Sequence, residues 1–261
     1  MPVARAAFWA LPGHDVPTDL VLIEADWGDE GFSAGQALLR RMHELARGLG
    51  AGLLSHHVDA PPAAPQYQED ADARIRLLTD SGYELLRDGL RWLYEPSASD
   101  EASSSSLSFR SLPDVGEEAF VEAIAATYEG TRDSWIRRSI AEHGILGAAR
   151  GDLRDYGEME HAPEWWELAY TGDGALAGVI MAARNPSSAV VAYVGVVPGQ
   201  RGRGLAAELV RRGTEQVLAD SATAVRGDCD RDNVGMVKAF ERAGFQQVGR
   251  RRSYQRALSP S

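Results

Sequence analysis

The chain has 261 residues, a formal net charge of −11 and a single cysteine, Cys229. That length exceeds one typical domain, and the acidic balance argues against nucleic acid as a principal partner, because binding a polyanion needs a basic face. One thiol forbids an internal disulfide and agrees with a reducing cytoplasmic setting, while no apolar stretch reaches the length of a membrane span and the first residues lack the pattern of a signal peptide.

Periodicity predicts strands at Ala4 to Leu11 and Leu20 to Asp26, a helix at Ser33 to Leu49, a strand at Ala51 to Val58 and a helix at Glu69 to Asp80. Gly82-Tyr83 then leads to strands running through Arg91 to Tyr94, and the Ser-rich stretch 97–106 reads as a flexible linker. Helices follow at Glu117 to Tyr128 and Asp133 to Leu146, then a hairpin of Trp166 to Tyr170 and Ala175 to Ala183 turning at Thr171-Gly172-Asp173-Gly174. Ala189 to Val197 is almost continuously apolar, as a strand buried on both faces requires. The next helix, Arg203 to Ala219, carries Leu205, Leu209, Gly213 and Val217 on one face. A strand at Ala222 to Cys229, a helix from Asn233 stopped at Gly244, and closing strands at Phe245 to Val248 and Arg252 to Arg256 complete the chain.

The run Val196-Val197-Pro198-Gly199-Gln200-Arg201-Gly202-Arg203-Gly204-Leu205-Ala206 joins a strand to a helix through residues suited to an anion. Gly202 and Gly204 permit positive φ, so successive N–H groups can converge on a phosphate at the helix start, where the macrodipole favours negative charge. The plainer reading is a strand-to-helix turn that binds nothing. A Walker loop would need Gly-Lys-Ser/Thr, and a dinucleotide fingerprint a third glycine and a later acidic residue.

The spacing Arg201-x-x-Gly204-x-Ala206 resembles the pyrophosphate motif of the GNAT superfamily of acyl-CoA N-acyltransferases. Asn233-x-x-Met236-x-x-Ala239-Phe240, followed by Gly244-Phe245, is similar to the second signature of that family. The resemblance implies an α/β fold, a mixed sheet with flanking helices, over 107–258. Residues 1–96 read as a truncated, degenerate copy: Leu20 to Asp26 stands for the strand Val190 to Val197, and Gly31 to Ala37 for the phosphate turn, with Phe32 replacing Arg201 and Ser33 replacing Gly202. This duplicated arrangement is similar to that of tandem GNAT enzymes. An unrelated α/β domain is the alternative.

The resemblance implies acetyl-CoA as acyl donor, held by Val196, Val197, Arg201, Gly202, Arg203, Gly204, Leu205, Ala206, Asn233 and Phe240. A freed N–H at Val196 would meet the acyl carbonyl, where attack by an amine places negative charge. Gly195 is compatible with the bulge that would splay the two central strands. Asn233 is equally suited to a helix N-cap. Two usual family features are missing: the carboxylate expected on the strand Ala192-Tyr193-Val194, and a Tyr where Phe240 stands. Tyr193 and Asp228 are the remaining candidates for polar catalysis, against plainer roles as a packed aromatic and a solvated carboxylate.

Glu158, Glu160, Glu164, Trp165 and Trp166 would suit the acceptor pocket for an amine with an apolar body, small molecule or peptide, and a solvated loop with core tryptophans explains them equally. Cys229 reads as a small buried hydrophobe, and His56-His57 lack metal-ligand spacing, so no metal site is expected. The function expected is N-acetyl transfer to an amine; the rivals are a non-catalytic acyl-CoA-binding module and a mycothiol synthase-like enzyme acting on an amino-sugar conjugate. The first copy, lacking the helices that would cover one sheet face, is expected to expose apolar surface covered by the second domain or, in a homodimer, by a second copy of the chain.

Overall fold

The computed structural model describes residues 3–11, 13–97 and 105–258. Most of the expected linker lies outside the described residues. The chain divides into two compact units, unit 1 of 1–89 with 249–261 and unit 2 of 90–248.

Unit 1 contains β1 (Ala4–Trp9), β2 (Asp19–Ala25), α1 (Asp29–Gly48), β3 (Leu53–Ala60), α2 (Ala71–Asp80) and the first part of β4 (Glu84–Tyr94). β1 and β2 are antiparallel, and β2 and β3 parallel, paired at Asp19 and Ser55. One sheet face packs on α1 and α2 through Leu20, Ile23, Leu39, Leu54, Leu77 and Val58. α1 begins four residues earlier than the sequence indicates. Gly31 to Ala37 are therefore helical rather than a phosphate turn, because Gly28 provides an extended N-cap and Asp29 and Glu30 favour a helical first turn.

Unit 2 contains β5 (Ser108–Ser111), α3 (Leu112–Val115), α4 (Glu117–Tyr128), α5 (Ser134–Gly157), β6 (Trp166–Tyr170), β7 (Leu176–Asn185), β8 (Ser188–Val196), α6 (Leu205–Ala219), β9 (Val225–Asp230), α7 (Val234–Arg242) and the start of β10 (Gln246–Ala257). Its strands run in the order β9-β8-β7-β6-β5, antiparallel except for the parallel pair β8 and β9. The face of Ile180, Ala182 and Val191 packs on α6 and α7, and that of Val179, Met181 and Tyr193 on α4 and α5. This mixed α/β sheet with flanking helices is the fold class read from the sequence. α5 runs eleven residues past the expected end, with a break at Gly144 (φ 71°, ψ 168°).

The two closing strands expected near the C-terminus form one, β10. Gly249 does not interrupt it, since Gly249 is followed by arginines whose charges are met: Arg250 grips Asp88 and Arg251 grips Asp59, each with two hydrogen bonds. Arg250 to Ala257 pair with Ala60 to Leu53 inside unit 1.

Where β3 and β10 pair, the face of unit 1 opposite α1 and α2 is polar, not apolar as expected, and Trp9 on β1 is an exposed apolar side chain beside it. Cross-strand neighbours there are Arg251 with Asp59, Ser253 with His57 and Gln255 with Ser55. Charged and hydroxyl side chains satisfy one another across the ladder, which removes the need for an apolar cover.

Candidate functional site

In unit 2 the site starts with β8. Met181 pairs with Tyr193 and Ala182 with Val191, so Ala192 is the extra residue of a β-bulge. The bulge therefore falls three residues before Gly195, where the sequence suggested it. Gly195 has a different reason to lack a side chain: a Cβ there would lie 2.5 Å from Thr127 Oγ1. β8 and β9 pair only through Ala189 with Val225 and Val190 with Arg226. Past these rungs the strands part. Val197 N–H donates to Ala177 O of the β7 side at 3.0 Å, so the preceding N–H, at Val196, faces the gap.

The chain then turns through Pro198–Gln200 and reaches α6 with Gly202 at φ 79° and Gly204 at φ 85°. Gly204 is the N-cap and supplies no side-chain acceptor, which leaves the first N–H groups of α6 available to an anion. A cavity of about 690 Å³ opens beside this turn, lined by Val194, Val196, Gly202, Gly204, Leu205, Ala206 and Asn233. Arg132, Lys238 and Arg242 add positive charge to its wall. Lys238 and Arg242 stand one turn apart on α7, and Arg132, from the segment between α4 and α5, joins them only in the fold.

Arg201 lines the cavity but turns inward, donating from Nε to Val196 O at 3.0 Å and from Nη2 to Thr127 O at 2.9 Å. It ties the end of β8 to α4. Arg203 bonds Gln200 Oε1, and neither Arg203 nor Val197 is among the lining residues. Asn233 Oδ1 accepts from Met236 N at 3.4 Å and caps α7 while lining the cavity. Phe240 lies away from the cavity: it is 2% exposed, stacked on Trp92 at 5.6 Å, and its ring fills the space that a Cβ on Gly227 would take.

Of the two catalytic candidates, Tyr193 is buried with its hydroxyl bonded to Thr127 Oγ1, and burial raises its pKa. Asp228 is half exposed and lies 3.5 Å from Arg91 Nε. Cys229 is buried and accepts from Trp92 Nε1 at 3.3 Å. Beside Tyr193 stand Tyr128 and Tyr156, with ring centroids 6.2 and 6.1 Å away. Tyr128 donates its hydroxyl hydrogen bond to Asp152, whose carboxyl is pushed up by burial. Asp152 escaped the sequence reading because the helix was ended at Leu146. Glu158, Glu160 and Glu164 are exposed, whereas Trp166 is buried and donates to Ala182 O.

Unit 1 repeats the local design. Ala7 pairs with Leu22 and Phe8 with Leu20, leaving Val21 as the extra residue, and Asp26 N–H donates to Val3 O as Val197 N–H does to Ala177 O. Both bulges fall five residues before that donor. In unit 1, however, the Gln68 carboxamide fills the gap between the parted strands: Oε1 accepts from Ile23 N at 2.8 Å and Nε2 donates to Val21 O at 3.3 Å. His56 is buried and donates from Nδ1 to Leu20 O, and among the described residues no cluster of three metal-ligating side chains is present.

Residues 124–245 match the profile of the acetyltransferase (GNAT) family. A mycothiol acetyltransferase from Clavibacter michiganensis subsp. michiganensis is 27% identical over 237 residues, 88% of this chain and 74% of that protein. Among solved structures, a GCN5-related N-acetyltransferase from Sphaerobacter thermophilus is similar with a TM-score of 0.62 at 18% identity, over 99% of this chain and 78% of that one. A tandem GNAT protein from the clavulanic acid biosynthesis pathway gives 0.57 at 18%, over 95% and 77%. Residues 124–245 thus form a domain of the GNAT acetyltransferase family, which supports an acyltransferase enzyme.

Proposed function

We propose that the protein transfers an acetyl group from acetyl-CoA to an amine, small-molecule or peptide, at a single site in 107–258. The observation that carries this reading is the uncapped start of α6, with Gly202 and Gly204 at positive φ, opening on a cavity with three cations on its wall. The pyrophosphate would lie on the N–H groups of Leu205 and Ala206, the pantetheine arm would run along Val194 and Val196 past Asn233, and the Val196 N–H would meet the acyl carbonyl. An amine attacking there places negative charge on that oxygen, so a fixed donor stabilises the transition state more than the ground state. With Phe240 unable to donate a proton, orientation supplies the larger share of the acceleration.

We read residues 1–96 as a truncated GNAT-like repeat joined through 97–106, in keeping with the matching bulges. The Gln68 carboxamide in its strand gap, and Asp29 and Glu30 in the first turn of α1, argue against a second acyl-CoA site. The relative among mycothiol acetyltransferases supports an amino-sugar conjugate as the acceptor class to try first. No described helix is long and apolar enough to cross a membrane, and a chain with Cys229 as its single cysteine suits a reducing cytoplasm.

Calorimetric titration with acetyl-CoA should give one site per chain. Gly204→Glu should abolish it, by placing a side chain and a negative charge where phosphate must sit, at a position already at φ 85°. Two equivalent sites, or full binding by a folded Gly204→Glu protein, would overturn the assignment.

A further inference from the structure

Unit 1 holds a cavity of about 430 Å³ that acetyl transfer does not use, and every residue lining it belongs to that unit. Its wall is formed by Trp9, Asp19, His57, Gln68 and Arg74, with the short loop Ala63 to Gln66 at its edge. That volume is in the range of small-molecule sites.

The charges in this wall are unevenly satisfied. Asp59 and Arg251, also in the wall, hold each other through two hydrogen bonds of 2.7 and 2.6 Å. Asp19 accepts from Thr18 Oγ1 at 2.7 Å and stands 3.4 Å from His57 Nε2. Arg74 differs. It is 1% exposed, its Nη2 donates to Gln68 O at 2.9 Å, and its Nε and Nη1 are buried with no hydrogen-bond partner. A guanidinium is never deprotonated in a protein, so a buried one with two open donor positions is a strained arrangement unless something accepts from it. Nε and Nη1 lie on opposite edges of the guanidinium, so an oxyanion can meet either one together with the remaining Nη2 hydrogen.

Gln68 fixes the geometry from the other side. Its side chain closes the gap between β2 and β3, and its main-chain carbonyl anchors Arg74, so the guanidinium is set in place before any ligand arrives. Trp9, 44% exposed, offers an apolar wall for the body of a ligand whose charged end reaches inward.

We propose that this cavity is a binding site for a small oxyanion-bearing molecule, a carboxylate or a phosphate, with Arg74 as the anion ligand and Trp9 as the wall. The site is independent of the acetyl-CoA site, and the two are separable by experiment. The full-length protein is titrated with sodium acetate, inorganic phosphate and, as ionic-strength control, sodium chloride, and its unfolding temperature followed. Acetate or phosphate should raise it saturably, by about 2 °C or more at about 10 mM, with chloride inert, and the stronger of the two identifies the source of the oxyanion. Arg74→Met should lose the shift while still binding acetyl-CoA, and Gly204→Glu should keep the shift while losing acetyl-CoA. Should Arg74→Met fail to fold, Arg74→Lys, which keeps the charge but loses the fork, should weaken the anion at least about tenfold. No saturable shift with either anion, an equal shift with chloride, or an unchanged shift in the folded Arg74 variants would overturn the proposal.

Discussion

Phe240 shows how a motif position and a contact can diverge. It stands in the second signature of the family, yet its ring is stacked on Trp92 and packed against Gly227 in the core. Phe240→Tyr should therefore leave acetyl transfer within a few-fold of the parent and lower stability by about 1 kcal/mol, because a hydroxyl enters a site without a partner for it. A rate increase of more than about tenfold would show that leaving-group protonation had been limiting.

His43 and His56 make a second test. Burial holds both at about 4, against 6.5 in the unfolded chain, and the hydrogen bonds of His56 to Leu20 O and of His43 to Tyr83 fit neutral rings. The unfolded state takes up protons that the folded state refuses, so stability is whole above pH 6.5 and falls as pH drops from 6.5 through 4. The loss approaches about 3 kcal/mol per histidine at the lower end. Urea midpoints at pH 7 and pH 5 should differ, and the difference should shrink in a His43→Gln, His56→Gln protein. Equal midpoints in the parent chain would exclude the linkage.

The elements of unit 2 were legible where their signals are local. α4 has the predicted bounds, and α7 begins after Asn233 and gives way at Gly244, where φ is 86°. α5 was legible only to its break. Gly144 lies in a backbone region open essentially to glycine alone, and nothing stands within 4 Å of where its Cβ would be. Gly144→Ala should then cost about 1–3 kcal/mol from backbone strain alone, seen as a lower chemical-denaturation midpoint. A neutral result would mean that the break relaxes without the glycine. α1 illustrates the opposite failure. Its sequence aligns with the phosphate turn through Gly35 and Ala37, but the acidic first turn at Asp29 and Glu30 carries the helix across that stretch.

Cutting the chain tests its organisation. A fragment from Leu107 omits Leu90 and Trp92, which belong to the unit 2 core with Phe240, Ala239 and Cys229, and omits β3, the partner of Arg250 to Ala257. It should unfold at a lower temperature than the full chain or aggregate, read by calorimetry and size-exclusion chromatography. A fragment as stable and active as the full chain would mean that 1–106 contribute nothing to folding.

Most of the strands and helices, the resemblance to the family and the glycine turn at Gly202 and Gly204 could be read from the sequence, because each depends on contiguous residues whose backbone preferences and apolar period are local. The inward course of Arg201, the burial of Phe240, the cations Arg132, Lys238 and Arg242 beside the cavity, and the Gln68 carboxamide between β2 and β3 were decided only in three dimensions. A side chain's direction and charge environment are set by partners distant along the chain, and Thr127 lies 74 residues from the arginine it receives. No period or motif carries that information.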